Sequence, residues 1–189
     1  MLHLRGAVIG IVALLGIVVG AVLTIVYMGY APMAADSAPS SIESNLAMKA
    51  VHALSERQMG EVRNPLALTA ANLSAGLKTY QQNCVICHGA ADGRRSNIAA
   101  GFYVTAPQFA KDGTEDDPEG ATYWKIHHGI RFTAMPAFMH SLEDEQIWQV
   151  SMFLKHMNAL PQPVETAWKA TKSVGGTATA TAPSMNMTP

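Results

Sequence analysis

The chain has 189 residues, 49% hydrophobic and 14% charged, with a formal net charge of −1 and two cysteines. This length suits one domain with appendages. The absence of a basic run excludes the electrostatic footprint that nucleic acid demands, and no phosphate-binding loop or catalytic triad stands out.

From Ala7 to Met28 there is no charged residue, and about 20 apolar residues suffice to cross a bilayer as a helix. The stretch predicts a transmembrane helix or uncleaved signal anchor, since a removable signal peptide has an apolar region of only about 7–15 residues. Gly29-Tyr30-Ala31 makes a poor cleavage site. Arg5 precedes the helix and the first charge after it is Asp36. Positive residues stay on the cytoplasmic side, so the rest of the chain is predicted outside, on the periplasmic face of a bacterial inner membrane. Gly16 and Gly20 form a spacing that lets another helix approach, although in so glycine-rich a segment it also arises by chance.

Residues 1–30 therefore read as a membrane anchor and 31–63 as a linker, with Pro32, Pro39 and a Ser-rich patch from Ser37 to Ser44. The linker contains a helical stretch from about Ile42 to Met59, in which Ile42, Leu46, Ala50, Ala53 and Leu54 line one face. It predicts a helix lying on the globular domain or along the membrane surface, with His52 solvated.

The compact domain is predicted over residues 64–161, starting at Asn64-Pro65. Thr69 caps a helix from Ala70 to about Asn83, with Leu73, Leu77 and Tyr80 at helical spacing. Gly76 disfavours a helix interior by about 1 kcal/mol relative to Ala, so it predicts close approach of another helix.

That helix runs into Cys84-Val85-Ile86-Cys87-His88-Gly89. Cysteines separated by two residues occupy one helical turn, where each thiol can add to a haem vinyl group, and the histidine that follows falls under the iron. A zinc site needs a fuller set of ligands than these two thiols provide. A redox dithiol would open a helix after a strand, and no such pattern is visible. The motif therefore predicts one covalently attached haem c, with His88 as proximal ligand.

Ala90 to Asp117 has no sustained period, which is long for a structureless loop unless something organises it. Ile98, Phe102, Tyr103, Val104 and Phe109 are expected to cover the haem. An iron-ligating histidine donates its other ring N–H to a carbonyl, and a carbonyl of this loop near Pro107 is the natural acceptor. Asp117-Pro118 starts a helix that Gly129 stops after His128. In the next stretch, Gly129 to Phe138, Met135 is the candidate distal ligand, because a thioether completes six-coordinate iron opposite histidine. Met139, His140, His127 and His128 compete with it, and spacing alone leaves the choice open. The last helix is expected from Ser141, capped with Asp144 at the third position, to Pro161. It presents Ile147, Trp148, Met152, Phe153 and Met157 to the first helix of the domain. Residues 162–189 read as a C-terminal tail, largely disordered beyond about Val174.

A helix with Gly76 and Tyr80, then the Cys84–Gly89 motif, then Ala134-Met135-Pro136, then a Trp/Phe-bearing helix, resembles a class I c-type cytochrome. More narrowly it resembles the small membrane-anchored monohaem type of bacteria. The resemblance covers Asn64 to Leu160. It implies an all-α cytochrome c fold around one covalent haem, thioethers at Cys84 and Cys87, and iron held between His88 and Met135. Iron with both axial positions filled offers no site to a small-molecule substrate, so the chain is expected to be an electron carrier rather than an enzyme. Its partners would be redox proteins of the periplasm or membrane, with residues 7–28 in the bilayer. Arg94, Arg95, Lys111, Lys125 and Arg131, against the acidic Glu115, Asp116, Asp117 and Glu119, could steer such a partner. Three functions follow: a tethered electron shuttle, a fixed electron-transfer subunit of a dehydrogenase or terminal oxidase, and a haem peroxidase or gas sensor in which Met135 dissociates.

Overall fold

The structure, a computed structural model, describes residues 2–31, 33–113 and 116–175. It divides into two compact units, Met1–Ala34 and Ala35–Pro189. The described residues are helical or irregular, without strands, as the patterning predicts.

The first unit is helix α1 (Leu2–Tyr27). Its segment Arg5–Tyr27 is long and apolar enough to cross a membrane, and its side chains are exposed along that length, as lipid-facing residues would be. The hydroxyl of Thr24 is satisfied within the helix, donating to Gly20 O at 2.8 Å. A polar group can therefore sit in an apolar segment without an orphaned donor. Gly16 and Gly20 both face open space.

The second unit opens with α2 (Ser41–Met59), capped by Ser40, whose side chain accepts from Glu43 N. The stripe expected to be its working face, Ile42, Leu46, Ala50, Ala53 and Leu54, is exposed. The opposite face is turned inward, with Ser55 fully buried and Val51 and Met59 half-buried. This face packs on α7 (Glu119–His128). The approach is close because α7 has a glycine there: a Cβ at Gly120 would lie 2.0 Å from Met59 O. His52 is also less free than its sequence suggests, with Nδ1 3.7 Å from Asp117 Oδ1.

Asn64 joins the linker to the rest of the domain. Its Nδ2 donates to Glu119 Oε1 at 2.6 Å and to Trp148 O at 3.1 Å, and its Oδ1 accepts from Leu66 N at 2.9 Å. Helix α3 (Ala70–Asn83) follows, capped by Thr69 as the sequence predicts. It packs on α8 (Asp144–Lys155). Gly76 is the point of contact: a Cβ there would lie 2.0 Å from Gln149 O and 2.9 Å from Phe153 Cβ. Leu73, Leu77 and Tyr80 of α3 meet Ile147, Val150, Phe153 and Leu154 of α8 in one buried core.

Three helices differ from expectation. Helix α7 starts after Pro118 rather than at it, within the usual scatter of helix ends. Helix α8 is capped by Glu143, in a reciprocal box with Gln146, rather than by Ser141, and it ends at Lys155 rather than running to Pro161. Ser141 is already engaged, because both its N–H and its hydroxyl donate to Phe138 O at the close of a 3-10 turn, Phe138–His140. The third difference is the largest. Where the sequence predicts a tail from Gln162, the chain forms α9 (Gln162–Ala170). Val164 and Trp168 are buried in the core, and the Trp168 ring sits edge-on to Tyr80 at 5.6 Å and to Phe153 at 5.7 Å. Residues 176–189, the bulk of the expected disordered segment, lie outside the described residues.

Two substitutions test this packing in the full-length, haem-loaded protein. Gly76→Ala forces α3 away from the Gln149 backbone and is expected to destabilise by about 1–3 kcal/mol, the range of overpacking. Trp168→Ala should cost about 3–5 kcal/mol, as for a large aromatic removed from a core, whereas truncation of a tail would cost nothing. Denaturant unfolding followed by tryptophan and haem absorbance checks both.

Candidate functional site

Helix α3 ends as the cysteine motif begins, with Cys84 N donating to Tyr80 O at 2.8 Å. A single helical turn, α4 (Val85–His88), then carries the motif. Cys87 N and His88 N both donate to Cys84 O, at 3.0 and 2.9 Å, so both thiols and the imidazole spring from one turn. Gly89 ends it at φ +75°, a left-handed conformation that favours glycine. The buried Tyr80 hydroxyl donates to Gly89 O at 2.7 Å and fixes the exit of the motif to α3. Burial, with Cys84 and Cys87 adding to it, raises the Tyr80 pKa well beyond its ordinary value, so the hydroxyl stays a neutral donor. Both cysteines are free and partly buried. Burial, then the neighbouring Cys87, pushes the Cys84 thiol up to about 12.

The His88 ring is fixed from two sides. It stacks on Phe109 with ring centroids 4.2 Å apart and planes 6° from parallel. Its Nδ1 lies 3.0 Å from Pro107 O. A carbonyl only accepts, so this contact places the proton on Nδ1 and leaves Nε2 with its lone pair, the form in which imidazole binds a metal. Burial lowers the His88 pKa, against a smaller upward pull from the Pro107 carbonyl.

The loop after the motif is held by local hydrogen bonds. Two short helical turns, α5 (Asn97–Ala100) and α6 (Phe109–Asp112), interrupt it. Ser96 caps α5 by accepting from Ala99 N, and its hydroxyl donates back to Ile86 O within the motif. Ser173, just past α9, reaches the same loop. Its hydroxyl bonds Asp92 Oδ1 at 2.6 Å and Arg94 O at 2.7 Å, and accepts from Ala90 N at 3.2 Å. Of the apolar residues expected to cover the haem, Phe109 packs on the core, Phe102, Tyr103 and Val104 are half-buried, and Ile98 is exposed. The Tyr103 hydroxyl donates to Glu43 of α2 at 2.7 Å.

The Met135 stretch is anchored to the end of α7. Gly129 has φ +67°, and a Cβ there would lie 2.6 Å from the Pro136 carbonyl carbon, so two independent constraints demand glycine. Ile130 N donates to Met135 O at 3.2 Å, and Met135 N donates to the Thr133 hydroxyl at 3.1 Å. The loop tip is Phe132, 90% exposed and at φ +62°. Met135 packs against the core, while Met139 and His140 are exposed. His127 is occupied elsewhere: it stacks on Tyr123 at 5.4 Å and lies 3.8 Å from Asp144, which also accepts from the Tyr123 hydroxyl. His128 is exposed beside Trp124. Part of the charge expected to steer a partner is spent internally. Lys125 pairs with Asp117 at 2.7 Å, and Glu119 accepts from Asn64. Glu115 lies outside the described residues.

Two thiols and an imidazole on one turn, with the histidine tautomer fixed for ligation and a methionine against the same core, are the donor set that haem c takes. Fold and site define a c-type cytochrome domain. Residues 71–154, from α3 through α8, match the family model described as cytochrome C oxidase, cbb3-type, subunit III. No curated protein and no solved structure matches the chain. The domain is thus of the kind that binds haem c covalently and serves electron transfer, and the residues present fit that group.

Replacing the buried donor above the motif probes how firmly it is held. Tyr80→Phe leaves Gly89 O without its partner and is expected to destabilise the loaded protein by about 1–3 kcal/mol, measured by thermal unfolding at the haem absorbance. The haem content should be unchanged.

Proposed function

We propose that this protein is a membrane-tethered monohaem cytochrome that passes single electrons between redox partners, with thioethers at Cys84 and Cys87 and iron held between His88 and Met135. The observation that carries this reading is the His88–Pro107 contact at 3.0 Å, which leaves Nε2 with its lone pair for a metal. The core-packed Met135 supports it, since Met139, His140 and His128 are exposed and His127 is held against Tyr123 and Asp144. Haem c supplies reversible one-electron chemistry. Cys84 and Cys87 would hold the group covalently, and His88 and Met135 would bind its iron, so that little would have to rearrange when the charge changes. Arg5 in the first turn of α1, with the next charge at Asp36, supports a haem domain on the periplasmic side of a bacterial inner membrane.

A second reading makes the same domain a fixed subunit of a terminal oxidase, favoured by the description of the matching family. The two part in mild detergent extracts of native membranes. A shuttle migrates as a small species, and a subunit migrates with an oxygen-consuming complex.

The ligand set is tested by optical spectroscopy of the full-length protein. The oxidised form is expected to show the far-red sulfur-to-iron band of His/Met ligation, absent in Met135→Ala. Reduced wild type should resist carbon monoxide, and reduced Met135→Ala should bind it. Ready binding by wild type would instead point to an open iron face and to peroxidase or gas-sensing chemistry.

A further inference from the structure

Beneath the proposed proximal ligand lies a side chain to which no motif points. Pro107 O holds His88 Nδ1, and the peptide on its N-terminal side, Ala106–Pro107, has no N–H to tie it down, so that peptide takes its position from what binds Ala106 O. The next residue is Gln108, 5% exposed. Its Nε2 donates to Cys87 O at 3.1 Å and to Ala106 O at 3.0 Å. One carboxamide thus bridges the peptide that leads into His88 and the peptide that leads into Pro107. Its main-chain N–H donates to Asp112 Oδ2 at 2.6 Å, so the backbone is held as well.

The other end of the amide is left without a donor. Gln108 Oε1 is buried and has no hydrogen-bond partner among the described residues. It lies against Gly89, where a Cβ would be 2.6 Å away. With two carbonyls facing Nε2, turning the amide over would put acceptor against acceptor. An apolar side chain of the same length would fill this space with no orphaned acceptor, so burial alone does not account for a glutamine here.

We propose that Gln108 is the positioning residue of the proximal ligand, setting the distance between Pro107 O and His88 Nδ1 and thereby the reduction potential. The inference rests on ligation by His88. A firm hydrogen bond from Nδ1–H leaves more electron density on Nε2, which favours the oxidised metal. Slackening the bridge lets the carbonyl recede and favours the reduced form.

The test compares full-length, haem-loaded wild type with Gln108→Met, which keeps length and removes both donors, and with Asp112→Ala, which loosens only the backbone of Gln108 from an exposed position. Redox titration against a fixed mediator is expected to shift the electron-exchange equilibrium of Gln108→Met toward the reduced form by about threefold to tenfold. Asp112→Ala should shift it in the same direction by less, and it reports even if Gln108→Met fails to fold. Exchange of the His88 Nδ1 proton, followed by NMR in the reduced state, should quicken in parallel. If the variants melt earlier but keep the wild-type potential and proton exchange, Gln108 merely packs and the proposal is overturned. A wild-type spectrum lacking histidine ligation overturns the underlying reading and this proposal together, so the two failures are distinguishable.

Discussion

The approach of α3 to α8 at Gly76 is the constraint on which the rest of the domain depends. With no side chain at that point, the Gln149 carbonyl comes within 2.0 Å of where a Cβ would stand. The neighbouring Tyr80 and Phe153 then pack at 5.6 Å between ring centroids. Tyr80 carries this geometry to the site, because the residue that fills the helix interface also grips the end of the cysteine motif through Gly89. A shift of α3 against α8 would move the thiols and the imidazole with it. Packing and cofactor attachment are therefore one mechanical problem.

Much of this was legible in the sequence, for physical reasons that differ from residue to residue. Thr69 is readable as a cap because a hydroxyl at that spot satisfies an otherwise orphaned N–H. Gly76 is readable because a glycine in a helix interior is unfavourable unless something presses on it. The carbonyl near Pro107 is readable because metal-binding imidazole needs its second nitrogen held. Helix α9 was not legible. It offers only Val164 and Trp168, one turn apart, and so short a segment draws its helicity from the core it docks on rather than from its own pattern.

Helix α2 misleads in an instructive way. Its most apolar stripe faces outward, while the inward face is centred on Ser55 and packs where Gly120 lets backbones nearly touch. Close approach selects for small side chains, and small side chains carry little hydrophobic signal. Gln108 escaped notice for a related reason. Its role lies in bridging main-chain carbonyls 21 residues and two residues away in sequence, and no residue type announces which carbonyls it will meet.

Helix α9 also bears on the order in which the molecule is completed. A chain is made from its amino end at about 5–20 residues per second, so α3 and the cysteine turn exist well before Trp168 does. The bond from Gln81 to Thr171 spans 90 positions, and until that late segment emerges Tyr80 lacks its edge-on neighbour and the Ala90–Arg94 loop lacks Ser173. For several seconds of synthesis the two thiols stand at the end of a helix whose packing is unfinished. The part of the chain that reads as an afterthought is the part that ends the interval in which those thiols are most accessible to chemistry.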